Sequence, residues 1–356
     1  MKQSLQFVFW PAIAGLLAAI LILDQWVLAP DGRSAPSPLE PVSYADAVRQ
    51  ATPSVVNIYT AKLVLADNTT QSRNFPFGLS GRPAARQQQI ERSLGSGVIV
   101  SAEGHILTNN HVISEADAIQ VMLHDGRSAN AAVIGTDQAT DLAVLKVDLP
   151  NLEPIALGDS DNARVGDVVL AIGNPLGFGH SVTQGIVSAL GRYGLQLNAY
   201  EDYIQTDATI HLGNSGGALI DTQGRLLGIN SLIYTGANSS QGGKTGIGIS
   251  LAIPVNLAIF VMQDLINYGE VIRGWLGVSV EPTGIIANGR PRIALTVKEV
   301  AANGPAAKAG IMIDDLITHI DGEPVQDGRR TMHQIARLRP GDMIAISVQR
   351  EQQSLE

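Results

Sequence analysis

A chain of 356 residues has room for two or three domains, each able to bury its own core. Its net charge of −9 argues against nucleic acid as a partner, since phosphate binding needs concentrated Lys and Arg. The absence of cysteine excludes a disulfide framework, a thiolate nucleophile and thiolate metal sites, while 37 glycines among short β-branched runs suit a β-rich globular protein.

Residues 7–23 form an uncharged apolar run, close to the lower end of the roughly 17–25 residues that a spanning helix needs. Asp24 is costly at a bilayer centre, by about 2.5–3.5 kcal/mol on insertion scales, and so belongs at the far interface. Phe7, Phe9 and Trp10 at one end and Trp26 at the other fit interfacial aromatic belts, and Lys2 favours a cytoplasmic N-terminus. A cleaved signal peptide has a shorter apolar core, about 7–15 residues. Residues 1–28 are therefore predicted as a cytoplasmic N-terminus and a single transmembrane anchor, and residues 29–42, which contain four prolines, as an extended linker. Ser43 is placed to cap a short helix running to Arg49, and Ser54–Thr60 reads as a strand. The polar stretch Asp67–Arg92, interrupted by Pro76 and Pro83, reads as a long loop, either over a cleft or a plain solvated insertion.

From Leu94 the pattern changes to short apolar strands, among them Gly97–Val100, Ala118–Leu123, Leu142–Val147, Val168–Ile172 and Leu226–Ile229. Glu103-Gly104, Asp125-Gly126 and Gln223-Gly224 supply turns between such runs. The spacing predicts an all-β domain and does not by itself separate barrels from a sandwich. Val255–Tyr268 carries a helical stripe that Gly269 stops. The domain boundary is expected just after it, giving residues 43–272 and 273–356. In the second domain, Trp275-Leu276-Gly277-Val278 is followed by Gly304–Gly310, Asp314–Ile317, a helix near Arg329–Leu338 and a strand near Ile344–Arg350.

The stretch Gly213-Asn214-Ser215-Gly216-Gly217 sets a serine among small residues that permit a tight turn beside backbone N–H groups. Such a serine needs a base and an orienting carboxylate. His111 closes the apolar run 105–110, and Asp141 opens the β-like run Leu142–Val147. The order His, Asp, Ser is that of chymotrypsin-like double β-barrel proteases. Ser215 is the candidate nucleophile, His111 the base and Asp141 its orienting acid, with the N–H groups of Gly213, Asn214 and Ser215 as candidate oxyanion donors. His180 and His211 are the competing histidines, and Asp137 is the nearest rival acid.

The segments Thr108-Asn109-Asn110-His111-Val112, Thr140–Lys146 and Gly213–Leu219 together resemble the HtrA family of serine proteases. With one membrane segment and one PDZ-like region, the chain most resembles its membrane-anchored DegS/AlgW branch, over residues 42–350. The resemblance implies two six-stranded barrels followed by a PDZ-like α+β domain, and no metal or cofactor. It implies a primary pocket lined by Ile229, Asn230, Ser231 and Leu232, suited to a small aliphatic side chain. It also implies a carboxylate-binding loop at Trp275, Leu276, Gly277 and Val278, and a regulatory loop whose switch arginine is Arg192. Protomers are expected to trimerise through the catalytic domains. The implied function is a periplasmic endoprotease anchored in the inner membrane. Exposed C-terminal peptides of misfolded outer-membrane proteins would activate it, and it would make the first cut in an anti-sigma factor during envelope stress. The alternatives are a general quality-control protease and a non-catalytic peptide-binding adaptor. The chain departs from the family at His211-Leu212, often Asn-Pro, and at Ser250-Leu251, often Gly-Phe. A PDZ domain of this family also lays down a further strand after the one ending near Arg350.

Overall fold

The computed structural model describes residues 13–20, 43–65, 88–175, 179–195, 197–211, 213–233, 249–287, 289–325, 328–351 and 353–356. Most of the predicted membrane segment and all of the linker up to Val42 lie outside them. Positions 13–20 are helical, with Leu16, Leu17 and Ile20 exposed. Among the described residues no helix is long and apolar enough to cross a membrane.

After the helix Ala45–Ala51, which buries Ala47 and Ala51, an antiparallel sheet forms. Its order is Ser128–Asn130, Ala118–Met122, Val55–Leu65, Gln88–Ile99, His105–Asn109, Leu142–Lys146 and Ala132–Asp137. Val56, Ile58, Ile106, Val121 and Leu145 meet in its core, each fully buried aliphatic side chain contributing about 1.5–3 kcal/mol. The polar residues Gln88–Arg92, expected to finish a long loop, instead extend a strand, with Gln88 opposite Leu65 and Val98 opposite Val55. Ladder pairing satisfies backbone N–H and C=O groups whatever the side chains, and this is why polarity misleads here. The edge strand Ser128–Asn130 folds back onto Ala118–Met122 through Gly126, whose φ of 87° admits glycine readily.

The second half of the protease region is a closed barrel of Tyr203–Thr206, Ser250–Pro254, Leu226–Ile233, Ala218–Ile220, Val168–Gly173 and Ser181–Arg192. Val169, Ala171, Val187, Ile204, Leu219 and Ala252 fill it. One six-stranded barrel is therefore closed, whereas the hydrogen bonding of the first half runs through seven strands without closing. The helix Val255–Tyr268 packs Leu257, Val261 and Leu265 inward and ends at Gly269, whose φ is 77° and whose N–H caps Leu265 O.

The last region is an antiparallel sheet ordered Val278–Ala287, Arg290–Val300, Leu316–Ile320, Ile346–Arg350 and Gln353–Leu355, with helices Pro305–Lys308 and Gly328–Ala336. Leu295, Val297, Ala306, Ile317, Ile320 and Val348 form its core. After Arg350 a short strand, Gln353–Leu355, folds back onto Ile346–Arg350. The long hairpin was hidden in the sequence by Pro282 and Gly284, which an edge strand tolerates.

Two arginines bind the two regions. Arg339 reaches both oxygens of the buried Asp264 at 2.5 Å and donates to Ile272 O at 3.1 Å, with its guanidinium 4.7 Å from the Phe260 ring centroid. Arg273 pairs with Asp137 at 2.5 Å and lies 4.4 Å over the Tyr200 ring. Arg339→Ala strands the Asp264 carboxylate, whose side chain is 1% exposed, without its cation. The expected loss is about 3–5 kcal/mol of stability, read from the urea midpoint; a change below about 0.5 kcal/mol, typical of surface positions, would contradict this role.

Candidate active site

Strand register brings His111 and Asp141 together. Antiparallel pairing sets Asn109 opposite Leu142, so the residues just beyond each strand end, in the helix Asn110–Ile113 and at Asp141, become neighbours. Asp141 accepts from the His111 backbone N–H on Oδ1 at 2.9 Å and from His111 Nδ1 on Oδ2 at 2.7 Å. Its carbonyl accepts from Asn110 N at 3.0 Å and from Asn109 Nδ2 at 3.1 Å. These bonds hold Asp141 in the left-handed region, with φ 60°, a conformation that aspartate tolerates better than most residues. The carboxylate is buried, and the imidazole keeps 45% of its surface exposed.

Ser215 lies two residues after Gly213, whose φ is 93° and where an added Cβ would lie 2.6 Å from Pro175 Cα. No larger residue fits that close approach. Ser215 Oγ does not sit on the imidazole: it donates to Ser231 O at 2.7 Å, while Ser231 Oγ donates to Asp141 Oδ2 at 3.4 Å. Ser231, expected to line a pocket, thus links the candidate nucleophile to the acid. The Asn214 N–H departs from its expected role, because it is committed to His211 O at 2.9 Å. Among the described residues, the N–H groups of Gly213 and Ser215 have no acceptor, so these two remain the candidate oxyanion donors.

The remaining pocket candidates lie on the strand Leu226–Ile233. Ile229 is buried opposite Ala218, and Asn230 Nδ2 bridges Ile172 O at 3.2 Å and Ala218 O at 3.0 Å. Leu232 pairs with Leu251. The rival Asp137 is taken up by Thr140 and Arg273. His180 Nε2 meets Val55 O at 2.8 Å, and burial holds its imidazole below the ordinary histidine range. His211 is exposed.

Arg192, expected in a loop, is the final residue of the strand Ser181–Arg192 and donates from Nε to Gln205 Oε1 at 2.8 Å. The sequence reading missed Glu201. Its buried carboxylate collects the N–H groups of Leu195 at 2.8 Å, Leu197 at 2.5 Å and Asn198 at 3.3 Å. Burial raises this carboxyl, but the N–H donors outweigh it and leave Glu201 below the ordinary glutamate range. An acid just ahead of an apolar strand carries no local signal for that task. In the last region, Trp275 is 65% exposed and Gly277 has φ 80°. The Leu276 and Gly277 carbonyls accept from Ala306 and Ala301, and Val278 begins an edge strand of the sheet.

A trypsin-like peptidase domain model matches residues 95–229, and a PDZ domain model matches residues 274–356. Fold and site together define a serine endopeptidase carrying a PDZ domain. The chain is 43% identical over 321 residues to the serine endoprotease DegS of Escherichia coli K12, covering 88% of this chain and 84% of the relative. It is 40% identical over 356 residues to a probable periplasmic serine endoprotease, DegP-like, of Pseudomonas putida, covering 94% and 71%. Among solved structures, the HtrA-type protease AlgW with a decapeptide matches at 48% identity and TM-score 0.69, covering 88% of this chain and 96% of that one. The serine endoprotease from Yersinia pestis matches at 41% and 0.59, covering 88% and 96%. The chain belongs to the HtrA family of serine endoproteases.

Proposed function

We propose that this endoprotease is anchored in the inner membrane by residues 1–28. On this reading its protease domain (43–272) and PDZ domain (273–356) stand in the periplasm beyond the linker 29–42, and it works as a trimer. The uncharged run 7–23 and the periplasmic naming of relatives support that placement. Ser215 Oγ attacks the peptide carbonyl, and His111 Nε2 takes its proton and then delivers it to the leaving amine. Asp141 holds the proton on Nδ1 and stabilises the imidazolium. The N–H groups of Gly213 and Ser215 receive the oxyanion. The Ser215 hydroxyl donates to Ser231 O, and rotation about χ1 turns it toward His111 for the attack. No acid stands in Ile229–Leu232, so cleavage follows a small aliphatic residue and not a basic one.

The PDZ domain takes a hydrophobic C-terminal peptide as an added strand on Val278–Ala287, with its carboxylate at Trp275–Val278. The peptide comes from a misfolded outer-membrane protein, and the activated protease makes the regulatory cut in an anti-sigma factor. The observation that carries regulation is a cavity of about 1180 Å³ that Arg192, Tyr193 and Asp202 line together with Arg330, His333 and Arg337 from the PDZ helix and its end. Arg337 at the end of that helix reaches Asp202 at 3.8 Å, one residue before the strand Tyr203–Thr206 that pairs with Arg192, so a shift of the helix is felt there. The test is cleavage by the full chain in detergent, with and without hydrophobic C-terminal peptides. The peptides are expected to raise cleavage at least tenfold, on the order of typical allosteric couplings. Arg192→Ala is expected to blunt activation while a fluorophosphonate still labels Ser215. Basal cleavage that ignores the peptides would sink the regulated reading and favour a general quality-control protease.

A further inference from the structure

We propose that Ser96, in the strand Gln88–Ile99 of the first sheet, is a positioning residue that sets the peptide planes around Ser215 and so aims the Ser215 N–H as an oxyanion donor. This rests on the reading of Ser215 as nucleophile. Ser96 is fully buried and sits across the seam between the two halves of the protease region. Its hydroxyl accepts from Asn174 N–H at 2.8 Å, so its single proton goes to Gly213 O at 2.7 Å. In a trans peptide the N–H lies opposite the C=O. With the Gly213 carbonyl drawn to Ser96, the next N–H, of Asn214, points the other way and meets His211 O at 2.9 Å.

The following plane is set by Gly217 N–H on Asn214 O at 2.9 Å, which turns the Ser215 N–H to the opposite face. The plane after that is gripped again by Ser96, whose own N–H donates to Ser215 O at 2.9 Å, with Gly216 N–H on Asn230 O at 2.8 Å. Ser96 therefore holds the planes on both sides of the one that carries the Ser215 N–H. Thr108 Oγ1 locks it in turn by donating to Ser96 O at 2.7 Å. The approach is close: a Cβ at Gly216 would lie 2.1 Å from Ser96 O. Alanine at position 96 keeps the backbone bond but loses the hydroxyl, so the Gly213–Asn214 plane is held only by Asn214 N–H on His211 O, and Asn174 N–H loses its acceptor.

The test compares kcat and KM of Ser96→Ala with the parent, normalised to the concentration of fluorophosphonate-reactive sites, alongside affinity for a peptide boronate. The boronate adduct places an oxygen where the oxyanion forms, so it reads donor aim directly. The expectation is a fall in kcat of about 10- to 100-fold, below or near the cost of losing a donor outright. KM should stay within about twofold, and boronate affinity should fall in parallel with kcat. Ser96→Cys, whose thiol is a weak donor, should fall between parent and alanine and serves where Ser96→Ala folds poorly. Parent-like kcat per reactive site, or a rise in KM at constant kcat, would overturn the assignment. Failure of the underlying reading looks different: Ser215→Ala would then retain turnover.

Discussion

Ser215→Ala is expected to lower turnover of a protein substrate by about a million-fold, the cost of removing the serine from comparable triads. The variant is a clean probe because, among the described residues, Oγ makes one hydrogen bond, to Ser231 O. Losing that bond costs about 1 kcal/mol of stability, far too little to unfold the domain. The His111–Asp141 pair does not depend on Ser215, since its bonds run to the His111 backbone and Nδ1. The imidazole therefore stays in place while the atom it would deprotonate is gone. Covalent labelling should vanish with turnover, and peptide binding to the PDZ domain should persist. Turnover within a hundredfold of the parent would show that another group attacks the carbonyl.

Asp141→Asn is expected to cost about ten-thousand-fold in kcat, through the wrong histidine tautomer. Both carboxylate oxygens face donors: the His111 backbone N–H on Oδ1 and the ring Nδ1 on Oδ2, which Ser231 Oγ also approaches. An amide offers one acceptor and one donor. If its oxygen stays on the backbone N–H, its NH2 faces Nδ1 and moves the imidazole proton to Nε2, where the nitrogen cannot accept from Ser215. If it flips, NH2 confronts the backbone N–H and the helix Asn110–Ile113 loses an anchor. Asparagine accepts the left-handed φ of this position as readily as aspartate, so backbone strain does not confuse the result. Measured kcat within tenfold of the parent, with an unchanged unfolding midpoint, would remove Asp141 from its role.

Parts of this fold were legible because their causes are local. Gly269 ends the helix Val255–Tyr268 where its apolar stripe stops, and the short apolar runs from Val98 to Ile229 fall on strands of two sheets. The reading failed where backbone pairing overrides composition. Gln88–Arg92 is polar yet pairs with Ala61–Leu65, and Pro282 and Gly284 sit inside a strand because its outer edge needs no partner. The bonds of Ser231 to Ser215 and Asp141 were not legible either, because its place after the nucleophile loop says nothing about where its carbonyl and hydroxyl point.

Residue types and their order were enough to single out Ser215, His111 and Asp141, because a reactive hydroxyl, a titratable ring and a carboxylate have few substitutes. A tight turn likewise leaves small residues as its mark. How the groups meet is a matter of long-range contact. The Ser96–Gly213 bond spans 117 residues, the Arg273–Asp137 bond spans 136, and the Ser215–Ser231 bond joins a turn to a neighbouring strand 16 residues on. Such bonds exist only once two sheets have closed on each other and excluded water. Direction, register and burial belong to the packed state, and it is there that Ser215 finds a carbonyl before it finds its base.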